Sequence, residues 1–238
     1  MGNPEIIESG LPEPLRAFST TRRGGVSQAP FDDFNLGDAC GDQPERVAVN
    51  RARLRDGLPA EPRWLRQVHG TTVIHLGDWQ PGIEADAAWT DRPGEVVAVL
   101  TADCLPVVIA AMDGSVIGIA HAGWRGLAAG VLEALVRALP RDPNGLMAWI
   151  GPRIGGHAYE VDATVRTAFP GYPQAFRATR PGHWQGELPA IAGDRLAAVG
   201  VRRIDDCGLC TASDPQRFFS HRRDGRSGRM ATLAWIEA

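Results

Sequence analysis

The chain has 238 residues, 44% of them hydrophobic and 22% charged, enough to bury one substantial core and near the upper end of single-domain size. Its formal net charge of -3 gives no basic field for nucleic acid or an anionic membrane surface, which favours small-molecule chemistry. All 25 residues in the Lys+Arg count are arginines, so a lysine Schiff base and a Walker P-loop are excluded, and any phosphate must be met by Arg, backbone N–H groups or a metal.

The opening MGNPEIIESG is polar and no later apolar run reaches membrane-spanning length, so the sequence predicts one soluble cytoplasmic domain over 1–238. Residues 15–23 predict a strand running into a turn at Gly24 and Gly25, followed by an ordered Asp- and Asn-rich loop over 31–37. Residues 44–58 predict a surface helix, with Pro44 in its first turn and apolar side chains at Val47, Leu54 and Leu58. Residues 64–76 are β-branched around a glycine, which predicts two short strand pieces meeting near His69 and Gly70.

Residues 95–122 are apolar and β-rich, with a two-residue turn signal at Asp113 and Gly114, and predict a buried hairpin. In that register paired residue numbers sum to 227, which places position 106 opposite His121 and Cys104 diagonal to it. Residues 126–139 predict one core helix ended by Pro140, and 146–161 a strand followed by a Gly/Pro-rich loop. Two more helices are expected in 162–200, and a second hairpin around Asp224, Gly225 and Arg226 closes the chain.

A diagonal Cys and His are roughly 7 Å apart at the backbone, within reach of a shared metal or of direct contact. They fit three arrangements: packed core side chains, a Cys104 nucleophile activated by His121, or a metal site with a third ligand. Asp103, Arg125 and three glycines crowd the same stretch, which a purely structural strand end has little reason to carry. His69, beside a glycine at a strand end, is the best third ligand; His75 falls inside a strand run, and His157, His183 and His221 fall in polar loops.

Two His and one Cys suit zinc with an open fourth position, a catalytic type of site. Cys207 and Cys210 form a C-x-x-C without a second pair or a thioredoxin-type setting, so a structural role is expected. Among the arginines, Arg22, Arg66, Arg125, Arg222 and Arg223 lie beside glycines or at element ends. Arg22 stands with two threonines and two glycines where an anion can sit. The candidate substrate-binding residues are Arg22, Asn35 and Arg125, and the candidate catalytic pair is Cys104 with His121.

The blocks STTRRGGVS (19–27), FNLG (34–37), RQVHG (66–70), ADAAWT (85–90), TADCLPV (101–107), AHAGWRGLAAGV (120–131), IGPRIG (150–155) with YEV (159–161), and FFSHRRDGRSGRMA (218–231) carry a resemblance. The chain resembles the multicopper polyphenol oxidase, or laccase-domain, family, which is also described as purine nucleoside phosphorylases and includes the bacterial peptidoglycan editing factor. The resemblance implies zinc on His69, Cys104 and His121. It implies an α+β fold, a mixed β-sheet sandwich with flanking helices similar to toxin-type cysteine hydrolases.

For activity it implies phosphorolysis of adenosine, guanosine, inosine and methylthioadenosine, with deamination of adenosine; the partners are then purine nucleosides and phosphate. The alternative it carries is a peptidoglycan-precursor amidase that removes serine from a muramyl nucleotide, using Cys104 and His121 or zinc hydroxide. Laccase-type copper chemistry is not expected, because it needs many His ligands and the chain has six. A non-catalytic scaffold that keeps the fold is the reading from another class.

Overall fold

The computed structural model describes residues 4–238. In chain order its strands are β1 (Ile6–Glu8), β2 (Leu15–Thr20), β3 (Val73–His75), β4 (Ala87–Thr90), β5 (Val97–Thr101), β6 (Leu105–Ala111), β7 (Ile117–Ala122), β8 (Leu146–Ile150), β9 (Glu160–Asp162), β10 (Phe176–Ala178), β11 (His183–Gly186), β12 (Arg203–Asp206) and β13 (Met230–Ile236). The helices are α1 (Pro44–Arg55), α2 (Trp124–Ala129), α3 (Val131–Ala138), α4 (Ala163–Thr167), α5 (Leu188–Ala198) and α6 (His221–Asp224). None of the described helices is long and apolar enough to cross a membrane.

A six-stranded mixed sheet runs β12-β8-β6-β7-β4-β3, with parallel pairs at its two edges and antiparallel pairs between. Every residue of β6 and β7 is buried, because both faces of the sheet are covered. Val107, Ile109 and Ala111 point into one core with Leu132 and Leu135 of α3 and Ile191 of α5. Val108 and Ala110 alternate to the other face, against Ala17 of β2, Val97 and Val99 of β5 and Ala234 of β13. Those strands belong to an antiparallel sheet ordered β1-β2-β13-β5, so the two sheets form a sandwich. Its outer face packs Ala98, Ala231 and Leu233 on Phe34, Leu36 and Leu54 of α1.

The β6–β7 hairpin has the register expected from its turn, with Pro106 opposite His121. Residues 95–104 depart from the expectation. β5 does not extend β6 but pairs with β13 in the other sheet, so the chain crosses between sheets at Ala102, Asp103 and Cys104. Both segments are β-branched and apolar, and nothing in their composition separates one sheet from two. The corner is marked by Asp103 in the left-handed region at φ 93°.

The expected helix over 126–139 is broken in two at Gly130, φ 98°, which ends α2 and starts α3. Between 162 and 200 two helices form as expected, but β10 and β11 separate them and join β9 in a three-stranded sheet. The closing hairpin does not form: residues 221–224 make a helical turn capped by the Ser220 hydroxyl, and β13 pairs with β2 and β5 instead. Of the two strand pieces expected in 64–76 only β3 forms, and the first half makes an isolated bridge from Arg66 to Glu84.

Candidate active site

The two described non-glycine residues with positive φ are His69, at 59°, and Asp103, and they flank the same place. Such backbone persists only where its surroundings hold it. The Asp86 carboxylate, fully buried just before β4, accepts the backbone N–H groups of Val68 at 3.1 Å, His69 at 3.0 Å and Gly70 at 2.6 Å. The same carboxylate accepts His121 Nδ1–H at 2.8 Å, and the Asp86 carbonyl accepts the His121 backbone N–H at 2.7 Å. One acid therefore folds the His69 turn and fixes the tautomer of His121, leaving Nε2 free for a ligand.

Asp103 does the corresponding work for Cys104. Its carboxylate accepts the hydroxyls of Thr211 at 2.6 Å and Ser220 at 3.1 Å, and the backbone N–H of Arg222 at 2.7 Å. The sheet crossover is thus stitched to the segment before β13. His69, Cys104 and His121 offer ligand atoms that all lie within 4.8 Å of one another. Cys104 Sγ is 3.9 Å from His69 Nε2, and the two imidazoles meet edge to face with centroids 4.7 Å apart. A Cβ on Gly123 would lie 2.8 Å from the His69 ring and 3.0 Å from Cys104 Sγ, so only glycine leaves the cluster its room.

Burial alone would push the Cys104 thiol up, but the charge of His121 and hydrogen bonds from His121 and His69 bring it down to about 6. Burial would lower the His121 imidazolium; the Cys104 thiolate and Asp86 outweigh it and raise it to about 9. Without a metal the pair is a thiolate beside an imidazolium. Asp86 stays below the usual carboxylate range despite its burial, held there chiefly by the His121 hydrogen bond and the Gly70 N–H.

The cluster lies in a cleft of about 1080 Å³. Arg66, Arg125, Arg222 and Arg229 line it together with Trp64 and Tyr159. Burial first, then the Cys104 charge, push the Tyr159 phenol up to about 12 against the opposing pull of Arg222 and Arg125.

Of the expected substrate-binding residues, Arg125 lines this cleft; Arg22 and Asn35 do not. Arg22 donates to the carbonyls of Asp32 and Pro215 and lies over the Phe219 ring, so its fork is spent on loop structure. Asn35 is wholly buried and bridges Gly37 and the Arg229 N–H, shaping the wall that carries Arg229. Arg223 is likewise consumed, by the carbonyls of Thr211, Ala212 and Phe218. Cys210 Sγ accepts the Gly155 N–H at 3.2 Å, a local structural contact.

His75 bonds Asp91, His157 the Ser213 hydroxyl, His183 the Pro181 carbonyl and His221 the Gly225 carbonyl, and no second metal cluster stands among the described residues. Sequence reasoning missed Asp86, Tyr159 and Arg229. An acid inside an alanine-rich run was the one signal for Asp86, since an aspartate seldom goes into a core unpaired.

Residues 16–237 match the family described as multi-copper polyphenol oxidoreductase laccase. The chain belongs to that family. A member from Xylella fastidiosa (strain Temecula1 / ATCC 700964) named purine nucleoside phosphorylase is 53% identical, over 97% of this chain and 96% of its own. The Escherichia coli (strain K12) member, purine nucleoside phosphorylase YfiH, is 44% identical over 98% of this chain and 99% of its own. Among solved structures, Neisseria meningitidis protein NMB0706 superposes with a TM-score of 0.94 at 38% identity over 100% of both chains. YlmD from Geobacillus stearothermophilus gives 0.91 at 31% identity, over 100% of this chain and 98% of that one. Both solved structures share the α+β sandwich described above.

Proposed function

We propose that this chain is a cytoplasmic zinc-dependent purine nucleoside phosphorylase, acting on adenosine, guanosine, inosine and methylthioadenosine, with adenosine deaminase activity. The observation that carries it is the convergence of His69, Cys104 and His121 in one cleft that also presents arginines. The names of the relatives supply the reaction class. The donor set fits zinc: at ordinary Zn–N and Zn–S lengths tetrahedral ligand atoms stand roughly 3.5 Å apart, a small contraction of this cluster. The Asp86 contact to His121 supplies the outer hydrogen bond that zinc-binding imidazoles use. When bound, zinc would supply Lewis-acid polarisation and lower the pKa of a water.

Phosphorolysis breaks the C1′–N9 bond and forms a C1′–O bond to phosphate. The bonding pair leaves with the purine, which takes up the proton that phosphate gives up, so ribose 1-phosphate and free base result. Positive charge builds on the sugar in between, and the cleft must hold a phosphate dianion beside it. Arg125 and Arg222 can carry that charge, and the Tyr159 phenol, protonated at neutral pH, can donate a hydrogen bond into the site. Deamination would form a C6–O bond from water and break the C6–N bond, the amino group leaving as ammonia with a proton from that water and the base becoming the 6-oxopurine.

The test is metal content by mass spectrometry on wild type and Cys104→Ala, with inosine turnover measured with and without phosphate. One equivalent of zinc lost in the variant, and hypoxanthine released only with phosphate, is the expected result. Absence of zinc from the wild type, or zinc without nucleoside turnover, would sink the reading. A second reading is favoured by one feature, the Cys104, His121 and Asp86 sequence of nucleophile, base and orienting acid. It is the amidase acting on a serine-containing muramyl nucleotide, and phosphate-independent turnover of that precursor is its signature.

A further inference from the structure

Arg125, on α2, and Arg222, on α6, line the cleft of the His69, Cys104 and His121 cluster, and neither has a carboxylate partner among the described residues. Arg66 in the same cleft is by contrast neutralised by Glu84 at 2.7 Å. The molecule carries a net charge of -3, so the three guanidinium groups that face this cleft without a carboxylate partner among the described residues are a local exception; Arg229 donates its Nη1 to the carbonyls of its neighbours Ser227 and Gly228, which leaves Arg125 and Arg222. Both are braced on rings. Arg125 lies 4.3 Å from the Trp124 centroid and Arg222 lies 5.0 Å from that of Tyr159.

Bracing fixes the plane of a guanidinium, which lowers the entropy lost when its fork receives an oxyanion. Arg222 is held further: its backbone N–H is tied to Asp103 at 2.7 Å and its Nη1 donates to the Glu160 carbonyl at 2.5 Å, while Nε and Nη2 make no bond within the described chain. Arg125, Arg222 and Tyr159 all line this one cleft, with Arg222 over the Tyr159 ring. With no lysine in the sequence, these forks are the strongest oxyanion donors the cleft offers.

We infer that a phosphoryl oxyanion binds between the guanidinium groups of Arg125 and Arg222, with the Tyr159 hydroxyl as a third donor, beside the His69, Cys104 and His121 cluster. The inference rests on the phosphorylase reading for taking inorganic phosphate as the anion; the diphosphate of a nucleotide-linked substrate has the same chemistry. Asp103 then has a double task, setting the Cys104 corner and the Arg222 backbone together, so that reacting centre and anion site move as one unit.

The experiment is calorimetric titration of the protein as purified, first with inorganic phosphate and then with uridine diphosphate. The proteins are the wild type, Arg125→Gln, Arg222→Gln and Arg222→Lys, with KM for phosphate and for inosine in parallel. Phosphate binding weakened at least about tenfold in each Gln variant, partly recovered by Arg222→Lys and with the inosine KM little changed, is expected from loss of a charge-assisted fork. Unchanged phosphate binding in both Gln variants overturns the subsite even if phosphorolysis persists.

Binding of uridine diphosphate but not phosphate, lost in the same variants, keeps the subsite and removes the phosphorylase reading. Binding of neither anion overturns the subsite. Should a Gln variant fail to fold, phosphate protection of Arg125 and Arg222 in the wild type against an arginine-specific dicarbonyl, mapped by mass spectrometry, decides the same question. Modification of both at an unaltered rate in saturating phosphate counts against the subsite.

Discussion

Asp86 is the residue on which the candidate centre turns, since its carboxylate receives four N–H groups: three from the Val68–Gly70 turn and the imidazole of His121. Asp86→Asn keeps the volume but replaces an accepting oxygen with an amide NH2, a donor that must face another donor. We expect zinc affinity to fall by about 10- to 100-fold, the usual cost of losing an outer hydrogen bond to a ligand. Competition with a chromophoric chelator measures it, and wild-type affinity would show that Asp86 is only a packing residue. Cys104 gives a pH prediction with a definite sign. In metal-free protein its thiol, brought down to about 6, is thiolate at neutral pH, so alkylation by iodoacetamide should stay fast from pH 9 to pH 7 and fall as pH drops through about 6. The same cysteine in urea should lose its reactivity near the ordinary thiol value, about 8.5. Identical profiles in the two states would mean that no imidazolium stands beside the sulfur.

At the scale of elements, the junction of β7 and α2 decides whether the ligands fit. β7 delivers His121, and the chain passes Gly123 directly beneath His69 and Cys104 before α2 begins. Gly123→Ala adds a methyl 2.8 Å from an imidazole carbon and 3.0 Å from the thiol, in a backbone conformation, φ -66°, that alanine accepts readily. If the cluster holds zinc as proposed, the expected outcome is a protein with near-wild-type thermal stability that retains less than half of the wild-type metal content, read by metal analysis beside a melting curve. Full zinc content would mean that the His69 turn yields, and that the close approach has no bearing on the metal. The broken helix nearby has another cause: Gly130 at φ 98° turns the chain between α2 and α3, so a run of helix-forming residues makes two short helices instead of one.

Across the whole molecule, the candidate centre sits where three distant parts of the chain are tied: the crossover between the two sheets, the turn before β3, and the segment before β13. Asp103 is the knot. It is 8% exposed and binds Thr211, Ser220 and Arg222, all more than one hundred residues away in sequence. Asp103→Ala leaves two hydroxyls and an N–H without their acceptor, and we expect a loss of about 3 kcal/mol in urea unfolding together with weakened zinc binding. A variant that loses stability and keeps its full zinc affinity would uncouple the crossover from the Cys104 position.

The sequence alone determined what depends on neighbours close along the chain. The two-residue turn at Asp113 and Gly114 set the β6–β7 register through the period-two alternation of strands, and with it the place of His121 opposite Pro106. Glycine beside His69 marked a projecting turn, and Pro44 with spaced apolar residues marked α1. These local signals put His69, Cys104 and His121 at a turn and at strand ends. Only the tertiary structure decided that β5 leaves β6 for the other sheet and that β13 pairs with β2 and β5, because an apolar β-branched strand buried on both sides carries no mark of its partner. The same limit hid the arginines. Arg22 and Arg222 look alike in sequence, each beside residues that can line an anion site, yet the first spends its fork on the carbonyls of Asp32 and Pro215 while the second keeps two donors free beside Tyr159. A guanidinium's role is fixed by what reaches it through space, and in this protein those groups arrive from parts of the chain far away in sequence.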